Sequence, residues 1–140
     1  MNQQFSFPLN YGLSKAGLPL IAVKVFNHDI CLMLDTGSNN NIIDQQIYEH
    51  FKDKFEQQSK SISSELLTIN GTSKGLTIYI PFTFESIEYS EPFICTEMIE
   101  AFDKIKTESG IQIHGILGNQ FFLKHGWIIN FETVTVCTNK

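Results

Sequence analysis

The chain has 140 residues, of which 42% are hydrophobic and 18% charged, so it is long enough for one folded domain and too hydrophobic for a disordered protein. Its net charge of −5, without a cluster of Lys or Arg, argues against a nucleic-acid partner. No run approaches the roughly 20 apolar residues that span a bilayer, and the N-terminus lacks the pattern of a signal peptide. We therefore expect one cytoplasmic domain over residues 1–140, with no membrane segment.

The first half of the chain predicts strands and then one helix. Residues 5–11 predict a terminal strand, and residues 18–26 and 30–34 predict a hairpin that turns at residues 27–29. Over residues 44–58 apolar positions recur at helical spacing, which predicts an amphipathic helix packed on the sheet, although such a stripe can also bind a partner helix. Its apolar positions are Ile47, Tyr48, Phe51 and Phe55.

Turn signals organise the middle of the chain. Asn70-Gly71 lies between two extended segments, residues 66–69 and 76–80, and predicts a hairpin. Pro81 is expected to interrupt the next strand, at an edge position or a bulge. Glu85-Ser86 predicts a further turn, followed by short strands at residues 87–89 and 92–96.

The last part of the chain contains one clear helix. Residues 97–109 predict either a helix or an irregular excursion. Asn119 is expected to cap a short helix over residues 120–125, which Gly126 ends. Residues 127–136 predict the final strand.

The cysteine and histidine spacings offer no metal site. Cys31, Cys95 and Cys137 are an odd number without a Cys-x-x-Cys pair, so they predict free thiols. His114 and His125 are not at a spacing usual for zinc ligands, and both are expected to be structural. We expect neither a metal ion nor a cofactor.

The motif with the clearest chemistry is Asp35-Thr36-Gly37, because an apolar strand, residues 30–34, delivers one carboxylate into a sharp turn. As the chain folds back, backbone N–H groups can donate to that carboxylate, and Gly37 allows the close approach. Such a turn suits the activation of water by a carboxylate.

A second segment, Ile116-Leu117-Gly118, places two apolar residues before a glycine and precedes the short helix. Together with Leu34-Asp35-Thr36-Gly37, in this order and separation, it resembles the retropepsin-like aspartic proteases, over roughly residues 18–136. The resemblance implies a mainly β fold, a closed acid-protease-type β-barrel with a short C-terminal helix. Here an extra helix would follow the catalytic loop.

The resemblance also implies a mechanism. Two carboxylates share one proton, and the ionised one activates water against the scissile amide. Because this chain has one Asp-Thr-Gly and no Asp-Ser-Gly, the second carboxylate would come from another copy, in a homodimer with both Asp35 residues on the axis. The family pattern assigns Thr36 to a hydrogen-bonded contact across that axis, and the terminal strands to an interleaved dimer sheet.

By the same resemblance, residues 66–78 would form a flap over a polypeptide substrate, with its tip near Asn70, Gly71 and Thr72; an ordinary surface hairpin is the alternative. The substrate would be an extended peptide paired to backbone. Ile116 and Ile69 would line an apolar subsite, which favours hydrophobic side chains around the cleaved bond.

Three features depart from the family pattern. Ser38 stands where many retroviral members have Ala, and its hydroxyl is expected to donate to the carboxylate, with an optimum of roughly pH 3 to 6. Asn39 and Asn119 stand where many retroviral members have an ion pair, so whatever supports the dimer or the substrate ends here must be neutral. The extra residues 44–64 and 97–110 are expected to shield the cleft, bind a partner or thicken the core.

The sequence thus favours a homodimeric aspartic endopeptidase. The alternative is a retropepsin-like fold that dimerises or binds peptides without proteolysis. A third interpretation, a β-barrel interaction domain with a coincidental Asp-Thr-Gly, would leave Ile116-Leu117-Gly118 and its helix unexplained.

Overall fold

The computed structural model describes residues 4–56, 62–68 and 71–139. Within these ranges, strands and helices follow in the order β1 (Gln4–Pro8), α1 (Asn10–Ala16), β2 (Leu20–Val25), β3 (His28–Leu34), β4 (Ile42–Asp44), α2 (Gln45–His50), α3 (Lys52–Glu56), β5 (Ile62–Thr68), β6 (Gly71–Phe84), β7 (Ile87–Thr96), α4 (Ile99–Ser109), β8 (Gly115–Leu117), α5 (Asn119–His125), β9 (Ile128–Asn130) and β10 (Thr135–Asn139). None of these helices is long and apolar enough to cross a bilayer.

The main sheet closes on itself. Its strand order is β2-β3-β8-β4-β7-β6-β5, and the pairing of Lys24 with Thr83 joins β2 to β6. Six strands therefore form a closed barrel, with β5 as a further strand on β6. The predicted fold class, a mainly β closed barrel with a short C-terminal helix and an extra helix after the Asp35 turn, is confirmed; the extra helix is divided into α2 and α3.

A separate three-stranded sheet joins the two ends of the chain. β10 lies between β1 and β9, and β1 runs antiparallel to β10, with Gln4 opposite Asn139 and Pro8 opposite Thr135. The predicted strand over residues 127–136 is therefore wrong in one respect. Two short strands, β9 and β10, replace it, because the chain turns back at residues 131–134 and Val134 adopts a positive φ of 56°.

The barrel has a core on each face of its central strands. Alternate residues of β3, such as Leu32 and Leu34, point into the main core inside the barrel. The opposite face of β3 and β8, including Met33 and Ile116, packs in a second core with α4, which contributes Phe102. Helix α4 thus packs on the outer face of the strands that lead to the candidate site and leaves Met33 and Ile42 partly exposed.

The predicted β2–β3 hairpin is confirmed, but its turn lies at Phe26 and Asn27, with φ of 48° and 67°. Such left-handed pairs form two-residue hairpin turns. The expected terminal strand is shorter than predicted, because the chain enters α1 after Pro8. Gly17 ends this helix in a left-handed conformation.

The predicted helix over residues 44–58 is divided into α2 and α3 at Phe51; residues 57–58 lie outside the described residues. Pro81 does not interrupt its strand, since it pairs with Ser90 in a continuous β6. Among the described residues, β5 pairs with β6 as far as Thr77 and β2 pairs with β6 at Thr83, so Pro81 has a paired strand on one side, as expected of an edge position.

In the second half of the chain, one prediction needs adjustment and one open alternative is decided. Residues 87–89 and 92–96 belong to one strand, β7, because Pro92 pairs with Tyr79 without a break. The excursion over residues 97–109 is a helix, α4. The turn at Glu85-Ser86 is confirmed, with φ of 50° and 65°.

Candidate functional site

Asp35 lies directly after β3, at the start of a tight turn. Its carboxylate oxygen Oδ1 accepts the Gly37 N–H at 2.9 Å, and its carbonyl oxygen accepts the Ser38 N–H at 3.1 Å. Among the described residues, no other group hydrogen-bonds to the carboxylate. The side chain is partly exposed, so the turn presents one free carboxylate oxygen to solvent.

Gly37 allows this turn to close. A Cβ atom on Gly37 would lie 3.2 Å from Asp35 Oδ1, closer than ordinary van der Waals contact. The backbone approach expected from the sequence is therefore present.

The second segment of the motif supports the turn from beside it. Parallel strands β3 and β8 pair with Leu34 opposite Leu117, and the Asp35 N–H donates to Leu117 O at 3.0 Å. Gly118 then fits under the 38–41 loop, since a Cβ atom there would lie 2.4 Å from Asn40 O. Only glycine allows this approach without movement of the loop. The structure thus brings Asp35, Leu117 and Gly118 together.

Ser38 differs from expectation. Its hydroxyl donates to Asn40 O at 2.8 Å and so closes the loop, instead of donating to Asp35. The Ser38 carbonyl accepts the Asn119 N–H at 2.6 Å, and the Asn39 carbonyl accepts the Gln120 N–H at 3.4 Å. Ser38 and Asn39 therefore tie the loop to the first two residues of helix α5 through neutral main-chain groups.

Asn119 is the first residue of α5 and not its cap. The capping position is Gly118, and no side chain caps the helix. The helix ends as expected at Gly126, with φ of 66°.

Asn41 is a residue of the site that the sequence did not single out. It is 8% exposed, its Oδ1 accepts the Gly118 N–H at 2.9 Å, and its Nδ2 donates to Pro92 O at 3.2 Å. The only sequence signal was its place, the last of three asparagines before the apolar strand β4. It joins the loop to β7 and to Gly118, the residue that follows β8.

Thr36 is exposed and borders an open cavity of about 350 Å³ on the surface. Two of its lining side chains are large, apolar and exposed: Leu123 at 75% and Phe131 at 67%. Ile128, between the lining residues Trp127 and Ile129 in the chain, is 52% exposed. The cavity is lined by Pro19, Leu34, Thr36, Asn119, Phe122, Leu123, Trp127, Ile129 and Phe131. An apolar surface of this kind next to a polar turn is typical of an interaction site.

Ile116 lacks the exposed surface that was predicted for it as a subsite residue. It is 6% exposed and packs with Phe102 of α4, so it offers little surface to a ligand. Met33 and Ile42 lie in the same cluster and are partly exposed. In β3, Cys31 and Met33 alternate with residues of the main core, and this alternation places Asp35 on the same face as Met33.

The predicted flap corresponds to the hairpin of β5 and β6. Gly71 pairs with Thr68, and Thr72 pairs with Leu67. Ile69 and Asn70 lie outside the described residues. The role of this hairpin as a flap stays a prediction.

The buried carboxylates elsewhere in the chain already have partners. Asp44 is 7% exposed and accepts the N–H groups of Gln46 at 3.3 Å and Met98 at 2.9 Å. Glu91 is 5% exposed and binds His125 Nε2 at 2.6 Å and Lys124 Nζ at 3.1 Å. Neither is placed to act with Asp35.

Two of the cysteines are poor nucleophiles. The pKa of Cys31 is raised to about 11 by burial. The pKa of Cys95 is also raised to about 11, by burial first and then by repulsion from Asp44 and Glu49. Both thiols are therefore protonated at neutral pH. All three cysteines are free, as predicted.

His114 holds the start of the motif strands. Its ring Nδ1 accepts the main-chain N–H of Cys31 at 2.9 Å, and the main-chain N–H of His114 donates to the Cys31 carbonyl oxygen at 2.9 Å. Burial lowers the pKa of His114; Asp44 opposes this shift and Lys106 adds to it. Across the described residues, no three His, Cys, Asp or Glu side chains lie close enough to hold a metal ion.

No protein-family model and no curated protein matches the chain. Solved structures do. A retropepsin-like aspartic protease from Rickettsia conorii is similar with a TM-score of 0.56 and 16% identity, over 99% of this chain and 91% of that one. The retroviral protease-like domain of Ddi1 from Leishmania major is similar with a TM-score of 0.55 and 10% identity, over 82% of each chain. At these identities the likeness establishes the fold, which is retropepsin-like.

Proposed function

We propose that the chain is an aspartic endopeptidase, in which two Asp35 carboxylates of a homodimer activate a water molecule. The observation that carries the proposal is the Asp35 turn. One carboxylate oxygen is held by the Gly37 N–H and the other has no partner among the described residues. A carboxylate fixed in orientation and open to solvent can accept a proton from water.

The reaction needs a second carboxylate close to the first. Two carboxylates within hydrogen-bond distance share one proton, since like charges so close cannot both ionise. The ionised one accepts a proton from the attacking water, and the protonated one donates to the carbonyl oxygen of the substrate. Asp44 and Glu91 are engaged elsewhere. A two-fold axis beside the turn would supply the missing group as Asp35 of a second copy.

The apolar surface beside Thr36 supports such a dimer. We call the exposed side chains Leu123, Ile128 and Phe131 the α5–β9 patch. Leu123 and Phe131 line a cavity that Thr36 and Leu34 also line, so the patch borders the Asp35 turn. Ile128 lies next to two further lining residues, Trp127 and Ile129, in the chain. Burial of large apolar side chains against a second copy would stabilise association and bring the two turns together.

The face of β3 that carries Asp35 supports a preference for hydrophobic substrates. Met33 lies on this face and is partly exposed, as is Ile42 beside it. An extended peptide passing Asp35 would place a side chain next to these residues. In place of the buried Ile116, Met33 and Ile42 would line the subsite and favour apolar residues at the scissile bond.

The experiment is cleavage of a mixed peptide library from about pH 3 to 7.5, a range that brackets the usual pKa values of carboxylate pairs. Asp35→Asn should abolish cleavage. Asp29→Asn is the matched control, since Asp29 lies on the same strand, and its exposed ion pair with Lys24 contributes little. Loss in both variants, or in neither, would contradict the assignment of Asp35.

The alternative is a dimerising or peptide-binding module without proteolysis, which the α5–β9 patch alone would equally support. A library left intact by a protein shown to be dimeric would favour this module. A strict monomer at high concentration and acid pH would exclude the shared carboxylates.

A further inference from the structure

We propose that Asn41 is the positioning residue of the site: its side-chain amide locks the 38–41 loop between β7 and β8 and so holds the Asp35 turn in place. The expected effect on kcat rests on the proposed function. The expected effect on amide hydrogen exchange does not, because it can be measured on an inactive protein.

The amide of Asn41 is used on both of its ends. Oδ1 accepts the Gly118 N–H at 2.9 Å, and Nδ2 donates to Pro92 O at 3.2 Å. The main-chain carbonyl of Asn41 also accepts the Ile94 N–H at 2.9 Å. One residue, 8% exposed, therefore joins the loop to two strands that the chain supplies from distant positions.

The Gly118 contact leads directly to Asp35. Leu117, the residue before Gly118, accepts the Asp35 N–H at 3.0 Å. On its other side, Gly118 lies so close to the Asn40 carbonyl that no Cβ atom would fit. A shift of Gly118 must therefore move either the loop or the strand end that fixes Asp35. Asn41 prevents both, because it binds Gly118 from the loop itself.

The site requires an amide, since it needs an acceptor and a donor on one short side chain. Without the acceptor, a buried N–H of Gly118 would be left unpaired, which is costly. The neighbouring asparagines do not take part in this way. Asn39 and Asn40 are exposed, and their side chains make no hydrogen bond with the described residues.

The first test compares Asn41→Leu with Asn41→Asp. Leu has the same branched shape in a larger volume and removes both side-chain hydrogen bonds, whereas Asp keeps the acceptor for Gly118. In Asn41→Leu we expect kcat to fall about 10-fold or more, with KM changed by less than about 3-fold, because transition-state geometry is lost and not substrate binding. Asn41→Asp should recover part of kcat.

Ser109→Ala is the matched control, since it also removes two hydrogen bonds between a side chain and the main chain, to Ile105 O and from the Ile111 N–H. It lies at the end of α4, outside the candidate site. A fall in kcat no larger in Asn41→Leu than in this control, measured on equal folded fractions, would overturn the proposal. So would a change confined to KM.

The second test is amide hydrogen exchange, measured by NMR in the same variants. In Asn41→Leu the Gly118 and Asp35 N–H groups should exchange about 10-fold faster or more, since a local opening loses the bond that resists it. Asn41→Asp should keep Gly118 protected, because it keeps the acceptor. If Asn41→Leu does not fold, Asn41→Ala takes its place, since it also removes both side-chain hydrogen bonds and adds no volume. Unchanged exchange at both positions would contradict the positioning role. If the wild type cleaves nothing, the proposed function fails but the exchange result still stands.

Discussion

The main-chain N–H of Asp35 donates to the carbonyl oxygen of Leu117 at 3.0 Å, where the parallel strands β3 and β8 end side by side. The two residues are distant in sequence, so the position of the carboxylate depends on the fit between the two segments. The tightest point of that fit is Gly118 under the Asn40 carbonyl.

Gly118→Ala should therefore damage both folding and activity. Its Cβ atom would lie 2.4 Å from Asn40 O and 2.7 Å from Ser38 O, and both are backbone atoms that cannot move independently. We expect a loss of about 1–3 kcal/mol in the free energy of unfolding, as for other overpacked sites, and strongly reduced cleavage. Urea unfolding and initial rates would measure the two effects.

Gly37→Ala should lower activity by changing the Asp35 turn while leaving the stability of the fold almost unchanged. Its Cβ atom would lie 3.2 Å from Asp35 Oδ1 and within 4 Å of no other group among the described residues, apart from its chain neighbours. The free energy of unfolding should change by less than about 1 kcal/mol, as for most surface substitutions, while activity falls because the carboxylate must shift. Equal losses of stability in Gly37→Ala and Gly118→Ala would contradict this separation.

Acid should weaken the strand pair next to the site through His114. Burial lowers the pKa of His114 in the folded chain below its ordinary value of 6.5. Below about pH 6.5 the His114 side chain binds a proton more readily in the unfolded chain than in the folded chain. The free energy of unfolding is therefore highest above this pH and decreases as the pH falls. For one proton the slope is at most about 1.4 kcal/mol per pH unit.

His114→Asn tests this dependence, since an amide oxygen can accept the Cys31 N–H in place of Nδ1 but does not titrate. Unfolding by urea at pH 7.5 and at pH 5 should show a smaller loss of stability in the variant than in the wild type. His50→Asn, at an exposed position, is the control and should follow the wild type. Equal pH dependence in all three proteins would remove His114 as the cause.

The α5–β9 patch should control dimerisation. Phe131→Ser removes a side chain that is 67% exposed in the single chain, whereas Tyr11→Ser removes an equally exposed one, at 68%, outside the patch. Phe131→Ser should raise the Kd of the dimer by about 10-fold to 100-fold, the range of a strong interface residue. Tyr11→Ser should not.

Sedimentation at several concentrations would give these constants. The activity of Phe131→Ser should return at high protein concentration, because the catalytic turn itself is unchanged. A variant that dimerises normally, or that stays inactive although dimeric, would contradict the assigned surface.

Sequence reasoning succeeded where a strong local pattern and the final structure agree. The apolar run before Asp35, the β2–β3 hairpin and the helix that ends at Gly126 all have such patterns. The paired segment around Leu117 was found because an apolar pair before a glycine has few alternative uses. These elements are enough to define the barrel and the Asp35 turn.

The remaining features depend on contacts that no local pattern encodes. Three consecutive asparagines give no indication that only Asn41 is buried. Its hydrogen-bond partners, Gly118 and Pro92, are distant in sequence. The Ser38 hydroxyl has a local carbonyl as an alternative acceptor, and this choice is decided by the turn geometry. Ile116 is buried because α4 covers its face, which the chemistry of the motif does not predict.

The central claim is that one catalytic unit needs Asp35 from two chains, and subunit mixing tests it most directly. Wild type and Asp35→Asn would be mixed in equal amounts, allowed to exchange subunits, and assayed at constant total protein. Wild type mixed with Asp29→Asn is the control and should keep full activity.

Random pairing makes about a quarter of the dimers wild type in both subunits. If the two carboxylates work together, the mixture should therefore retain about a quarter of the wild-type rate. A mixture that retains about half of the rate would show that each chain acts alone, and would contradict the account.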